Sequence, residues 1–276
     1  MKEFMKTKLF VLVMCASAGL WAQQPPASGS KQPQPPARHV AQAKTPQEFK
    51  DYNTAYALTG GEAVEKAADE FAARYPASEL RVFLYEKAMH EYQTANNQPK
   101  IVATGEKVLQ LDPNNAIALV LTANVLSDDL SENNPDRQKA AEIKSNATHA
   151  LAILNENFSP VANATPEQVE AYKKTLQALA HSAMGITALK MNDDAGAEKE
   201  LKAAADANPG QPDPFVWYHL SLAQDHQKKY SEALVSVNQA VQNAGSNPDI
   251  GELAKGEQAR LRTLTGGSTS SPQAPK

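Results

Sequence analysis

The stretch HSAMGITALKMNDDAGAEKELKAAADANP, residues 181–209, is followed by WYHLSLAQDHQKKYSEALVSVNQAVQNAGSNP, residues 217–248, and the two share a pattern. In the first, Met184-Gly185 sets a large residue beside a small one. Ala197, Leu201 and Ala204 then fall at intervals of four and three, and Pro209 ends the run. In the second, Trp217, Leu220 and Ser221 precede Tyr230, Ala233, Val237 and Ala240, and Pro248 closes it. Intervals of three and four align side chains on one face of a helix. Small residues let two helices approach closely, and large ones fill the space beside them. Each stretch therefore reads as a helix, a tight turn and a second helix packed back on the first.

These paired hairpins resemble the tetratricopeptide repeat. The resemblance implies an all-α solenoid of about five helical hairpins plus a C-terminal capping helix, and a scaffold that binds protein. It spans roughly residues 46–264, within an expected folded body of 45–265. Its start is marked by Thr45-Pro46-Gln47-Glu48, a capping threonine with proline in the first turn and glutamate three residues on. Phe49, Tyr52 and Tyr56 are expected to form the apolar stripe of the first helix. Gly60-Gly61 breaks it, and Val64, Ala68 and Phe71 face inward on the second. Phe71 to Ser78, FAARYPAS, resembles hairpin ends in repeat proteins of the bacterial envelope. Thirteen residues after Pro76, Met89 occupies a slot that the family reserves for a small residue, which implies looser packing there. Tyr85 and Tyr92 keep the stripe, and Val108, Leu109 and Leu111 lead to the stop Asp112-Pro113-Asn114-Asn115.

The third unit is irregular. Ala116 to Ser127 reads as its first helix, with Leu119, Ala123 and Leu126 on one face. A long loop from Asp128 to Asp136 precedes a helix from about Arg137 to Leu154. After a break at 155–164, Thr165-Pro166-Glu167 starts a helix that runs to about Lys190, roughly 38 Å at about 1.5 Å per residue. Its first half is expected to project or to pack beneath the 128–136 loop. Ile250 to about Leu264 reads as the capping helix.

Residues 1–22 have the form of a secretory signal peptide. Lys2, Lys6 and Lys8 precede an apolar run from Leu9 to Ala22, with cleavage expected after Ala22. Membrane attachment follows only if this segment is retained or Cys15 is lipidated. Residues 23–44, with five prolines, read as an extended linker and 266–276 as a disordered tail. Cys15 is the single cysteine, so the body contains neither disulfides nor thiolate zinc sites. Residues 45–265 hold 20 basic and 30 acidic residues. That balance repels phosphate backbones and disfavours nucleic acid.

Catalytic signatures are missing from the sequence: it has no phosphate loop, no nucleophile elbow and no paired metalloprotease histidines. His219 and His226, seven apart, read as ordinary helix histidines. Asp128, Asp129, Glu132 and Asp136 lack the glycine turn and terminal glutamate of a calcium loop. No cofactor or metal is expected. In the family, the first helix of each hairpin lines a concave surface. Carried over residue by residue, that selects Phe83, Glu86 and His90, then Ile117, Val120 and Asn124, then Leu179, Ser182 and Ile186, then Phe215, Tyr218 and Leu222. Phe83, Ile117, Leu179 and Phe215 recur at one position and would form an apolar strip for a peptide or amphipathic helix. The lysines and asparagines of the carboxylate-clamp subclass are replaced here by Ser182, Ile186, Tyr218 and Leu222, which disfavours that partner class. The resulting expectation is an exported scaffold. A small-ligand or accessory enzyme subunit using the third unit, and an oligomerising spacer, are the competing classes.

Overall fold

The structure is a computed structural model that describes residues 41–154, 164–245 and 247–266. The expected signal peptide, most of the linker, the break at 155–163 and the last ten residues lie outside the described residues. Among the described residues there are eleven helices and no strand. They are α1 (Pro46–Tyr56), α2 (Gly61–Arg74), α3 (Arg81–Thr94), α4 (Gln98–Leu111), α5 (Ala116–Asp129), α6 (Arg137–Ile153), α7 (Pro166–Lys190), α8 (Asp194–Ala207), α9 (Pro214–His226), α10 (Tyr230–Asn243) and α11 (Pro248–Leu264). Consecutive helices pack in pairs from α1–α2 to α9–α10, and α11 covers α10. The molecule is an all-α array of five TPR-like hairpins and a final helix.

Capping chemistry fixes the helix starts. Thr45 Oγ1 accepts a hydrogen bond from the Glu48 backbone N–H at 3.1 Å. The Glu48 carboxylate turns back to the backbone N–H of Lys44 at 2.7 Å, one residue before the cap. Thr165 and Gln168 form a reciprocal capping box at the start of α7. Ala41 and Ala43, at the end of the expected linker, pack against the core.

The turns within three hairpins have the same backbone geometry. Asn96, Asn192 and Lys228 have φ of 52°, 61° and 61°. The next residue in each case donates its N–H five residues back: Asn97 to Tyr92, Asp193 to Ala188 and Lys229 to Gln224. This left-handed cap satisfies the carbonyls left open at a helix end. Asparagine tolerates that conformation; lysine is strained in it, at roughly 1–2 kcal/mol. In the α5–α6 hairpin a seven-residue loop, 130–136, stands in place of this turn, α5 running two residues further than the sequence reading expects.

The large-and-small pairing holds, with one exchange of partners. A Cβ added to Gly185 would lie 2.6 Å from Leu201 Cγ and 3.1 Å from Leu201 N, so α7 and α8 touch backbone to side chain. In the second hairpin the bulky residue is Met89 on α3 and the small one is Gly105 on α4, whose added Cβ would lie 3.1 Å from Met89 Cε. Met89 is only 1% exposed. The looser packing expected there is absent, because the room is made on the opposite helix.

Three further expectations change. Phe49 and Tyr56 are 58% and 44% exposed, and α1 buries Ala55 and Glu48 instead. Helix α5 is buried on almost every face because α4, α6 and α7 all pack on it. The first half of α7 neither projects nor lies under the loop: Val169 and Tyr172 pack on the core built by α1 to α6. Its last turn meets the loop region, where Lys190 Nζ donates to the carbonyls of Ser127 and Asp128 at 2.9 and 2.8 Å. A cation is thus placed at the carbonyl end of α5, the favourable end for positive charge.

A carboxylate staple joins neighbouring hairpins twice, at the fifth residue of a second helix. Glu65 on α2 accepts from Tyr92 Oη, Lys100 Nζ and Lys107 Nζ at 2.6 to 3.0 Å. Glu198 on α8 accepts from Lys202, Gln227 and Lys229 over the same range. Burial by itself would raise both carboxyl groups; the donors outweigh it and hold each at about 2. A depressed carboxyl contributes stability that is complete above its ordinary value of about 4.5 and is lost as pH falls towards 2. Acid titration of thermal stability should therefore show a loss across that window. Glu65→Gln and Glu198→Gln should each flatten it, by on the order of 2 kcal/mol once screening of the partly exposed lysines is allowed for.

Candidate partner-binding face

The two rows of helices are spaced differently. First helices touch one another at α1–α3, α5–α7 and α7–α9, and α9 touches α11. Among the described residues no two second helices are in comparable contact. The row of first helices is thus the more closely spaced one, although α3 and α5 are not in comparable contact.

The structure separates the twelve residues selected from the sequence into three groups. Val120, Asn124, Leu179, Ser182 and Ile186 are buried: α5 packs directly on α7, and Ile186 is taken up in the cluster with α8 and α9. Leu179 is 8% exposed and Ile186 4%, so the apolar strip is interrupted at its middle. Phe83, Glu86, His90 and Ile117 remain half-buried towards the N-terminal end. Phe215, Tyr218 and Leu222 remain half-buried towards the C-terminal end. Phe83 and Ile117 lean on the core at their bases, as Tyr218 does on the α10–α11 cluster.

The N-terminal group is built around Glu86. Asn115, the residue before α5, accepts the Ala118 N–H with its Oδ1 at 3.0 Å and so caps that helix. The cap fixes the amide plane and aims Nδ2 at Glu86 Oε1, to which it donates. Four elements converge here. Tyr52 of α1 and Tyr172 of α7 both resist ionisation, first through burial; the Glu86 charge adds to this at Tyr172, pushed up to about 12, and at Tyr52 it adds after Tyr56. Burial raises Glu86 itself to about 6; the Asn115 bond opposes the rise and the Asp112 charge adds to it. Among the described residues Glu86 forms no ion pair.

The length of α7 explains how Tyr172 arrives there. Lys190 is level with Ser127 at the end of α5, and Tyr172 lies 18 residues earlier, about 27 Å along the axis. The corresponding distance from Ser127 back to Ala116 is only about 17 Å. The extra turns therefore overhang the start of α5 and come within range of Glu86. Nothing in the sequence singles out Asn115, which reads as part of a stop, or Tyr52, which reads as core. Counting back from Lys190 could have placed Tyr172 beyond the start of α5.

The C-terminal group is packed differently. Tyr218 lies edge-on to His219, 5.6 Å between ring centres, within reach of the charges of Glu257 on α11 and Glu132 in the long loop. His219 is buried, with Nδ1 2.8 Å from the Phe215 carbonyl oxygen, and burial pulls it down to about 4. His226 instead meets Asp194 at 2.9 Å. In the 128–136 loop, Asp136 caps α6 and Asp129 pairs with Lys139.

The hairpin pairing defines the chain as a TPR-like helical-repeat protein. Among solved structures it is similar to a thermophilic TPR protein of Thermus thermophilus, at 13% identity and a TM-score of 0.45, over 77% of this chain and 99% of that one. No protein-family model and no curated protein sequence matches the chain.

The raised Glu86 carboxyl has a measurable sign. It binds its proton more tightly in the folded protein than in the unfolded chain, so stability falls as pH rises from about 4.5 to about 6. Urea denaturation of wild type and Glu86→Gln across pH 4.5 to 7 should show this slope in the difference between the two, because His219, pulled down to about 4, adds an opposite slope to both. The variant should be the more stable at pH 7, by on the order of 1–2 kcal/mol.

Proposed function

We propose that the chain is an exported scaffold that holds a protein or peptide segment along its row of first helices. The observation that carries this reading is the pair of half-open aromatic groups on that row, Phe83 with Ile117 and Phe215 with Tyr218 and Leu222. Aromatic side chains seated on a rigid base, each with part of its surface open, are the usual anchors of a protein interface. The buried members of the row hold these two groups at a fixed separation. Export is supported by the basic and apolar form of residues 1–22 and by the lack of cysteine after them. A role in assembling the bacterial envelope follows from the resemblance of the FAARYPAS segment.

A second reading is a spacer that associates end to end. It is favoured by Phe49, Tyr56 and Leu58, exposed on and just after α1, together with Leu253 and Leu264 exposed on α11.

Phe83→Asp and Phe215→Asp test the scaffold. Each should reduce capture of partner protein from envelope extract at least about fivefold while circular dichroism shows unchanged helicity. Identical capture by wild type and both variants would overturn the docking face. Light scattering that gives a concentration-dependent oligomer, abolished by Phe49→Asp, would favour the spacer. Export is read from cell fractions by intact mass: a chain beginning at Gln23 in the envelope fraction is expected, and one beginning at Met1 in the cytosol would refute it.

A further inference from the structure

Among the half-buried or buried glutamates of this protein, those engaged in packing have a cation at hand. Glu65 meets Lys100 and Lys107, Glu91 meets Lys87, Glu198 meets Lys202 and Lys229, Glu200 meets His181 and Lys199, and Glu257 meets Arg260; Glu48 forms no ion pair but takes the Lys44 backbone N–H and feels the Lys44 charge. Glu86 departs from this. It sits half-buried on the row of first helices, with one hydrogen-bond donor and no cation among the described residues. A partly desolvated carboxylate with no counter-charge among the described residues is a cost that the single Asn115 bond offsets only in part. The donor it does have is held by the α5 cap, so the carboxylate is oriented before any ligand arrives. Phe83, Ile117 and Tyr52, each half-buried, supply apolar and aromatic surface suited to the stem or face of a cationic group.

We propose that Glu86 is the receptor for a lysine or arginine side chain of an extended partner segment, whose apolar neighbours rest on Phe83 and Ile117. This rests on the scaffold reading and names the chemistry of what it holds. Charge complementarity selects the occupant: the body carries 30 acidic against 20 basic residues, and a cationic segment is drawn to it from a distance. Arginine is the better fit of the two, because a guanidinium can meet the free carboxylate edge and lie flat against a tyrosine ring.

The test uses the full chain, immobilised and exposed to octapeptide pools randomised at every position except one central residue, fixed as arginine, lysine, citrulline or glutamate. Citrulline keeps the shape of arginine without its charge. Wild type should retain the arginine pool at least about tenfold over the citrulline pool, as a desolvated charge-assisted contact implies. Glu86→Gln should retain both pools equally, and Phe83→Asp should retain neither. Equal retention of arginine and citrulline by wild type, with both lost in Phe83→Asp, would overturn the role of Glu86 and leave the groove standing. No retention of any pool by wild type would overturn the groove and the Glu86 receptor together. A further arm uses Lys31→Gln/Arg38→Gln: if only this variant retains the arginine pool, the occupant is the chain's own N-terminal segment and the assignment to a partner fails.

Discussion

Each helix in this protein can bury its apolar face only against its neighbours in the chain, and the architecture follows from that constraint. Helices come within contact distance where a small residue faces a large one, as Gly185 faces Leu201 and Gly105 faces Met89. Such contacts repeat without a common centre. The buried side chains fall into three clusters, one from α1 to α7, one joining α7, α8 and α9, and one under α10 and α11. Trp217 packs on both of the last two and ties them together. Stability of this kind is a sum of nearest-neighbour terms, and it leaves one side of the first-helix row uncovered.

The two fates of glutamate show how the same group serves structure or remains available. At Glu65 and Glu198 the desolvation cost is more than offset by several donors, and the carboxylate becomes a bond between hairpins. At Glu86 a single amide is provided, and the charge costs stability at neutral pH. The difference lies in what the neighbouring helices present. Lysines from α4 reach Glu65 because the α2–α3–α4 turnings put them on its side, whereas around Glu86 the four approaching elements contribute two tyrosines, an asparagine and an aspartate.

Much of the fold was legible in the sequence because capping and periodicity are local. Thr45, Thr165 and the run Ala197, Leu201, Ala204 all do what their spacing implies. The failures arose where a property depends on distant packing. Phe49 and Tyr56 lie on the first of the described helices, where no described element covers them, so an apolar stripe stayed exposed. Val120, Leu179 and Ile186 sit at positions that would line a groove in a regular array, yet contact between α5 and α7 closes over the first two and the α8–α9 side takes up Ile186. Glu86 was among the residues selected from the sequence. Its environment was not legible there, since Tyr52, Asn115 and Tyr172 come from elements that only the tertiary arrangement brings together.

Helix α7 belongs to two clusters at once: Val169, Tyr172 and Leu176 lie in the first, and Ile186 in the second. It therefore acts as a splint across a joint that would otherwise depend on one hairpin contact. Under tension applied from the C-terminus, α11 and α10 would release one cluster, and α9 and α8 the next, to which Trp217 ties it. Detachment then stalls at α7, whose far end is anchored by the N-terminal core. The N-terminal half, with its carboxylate site intact, would outlast the loss of everything beyond Lys190.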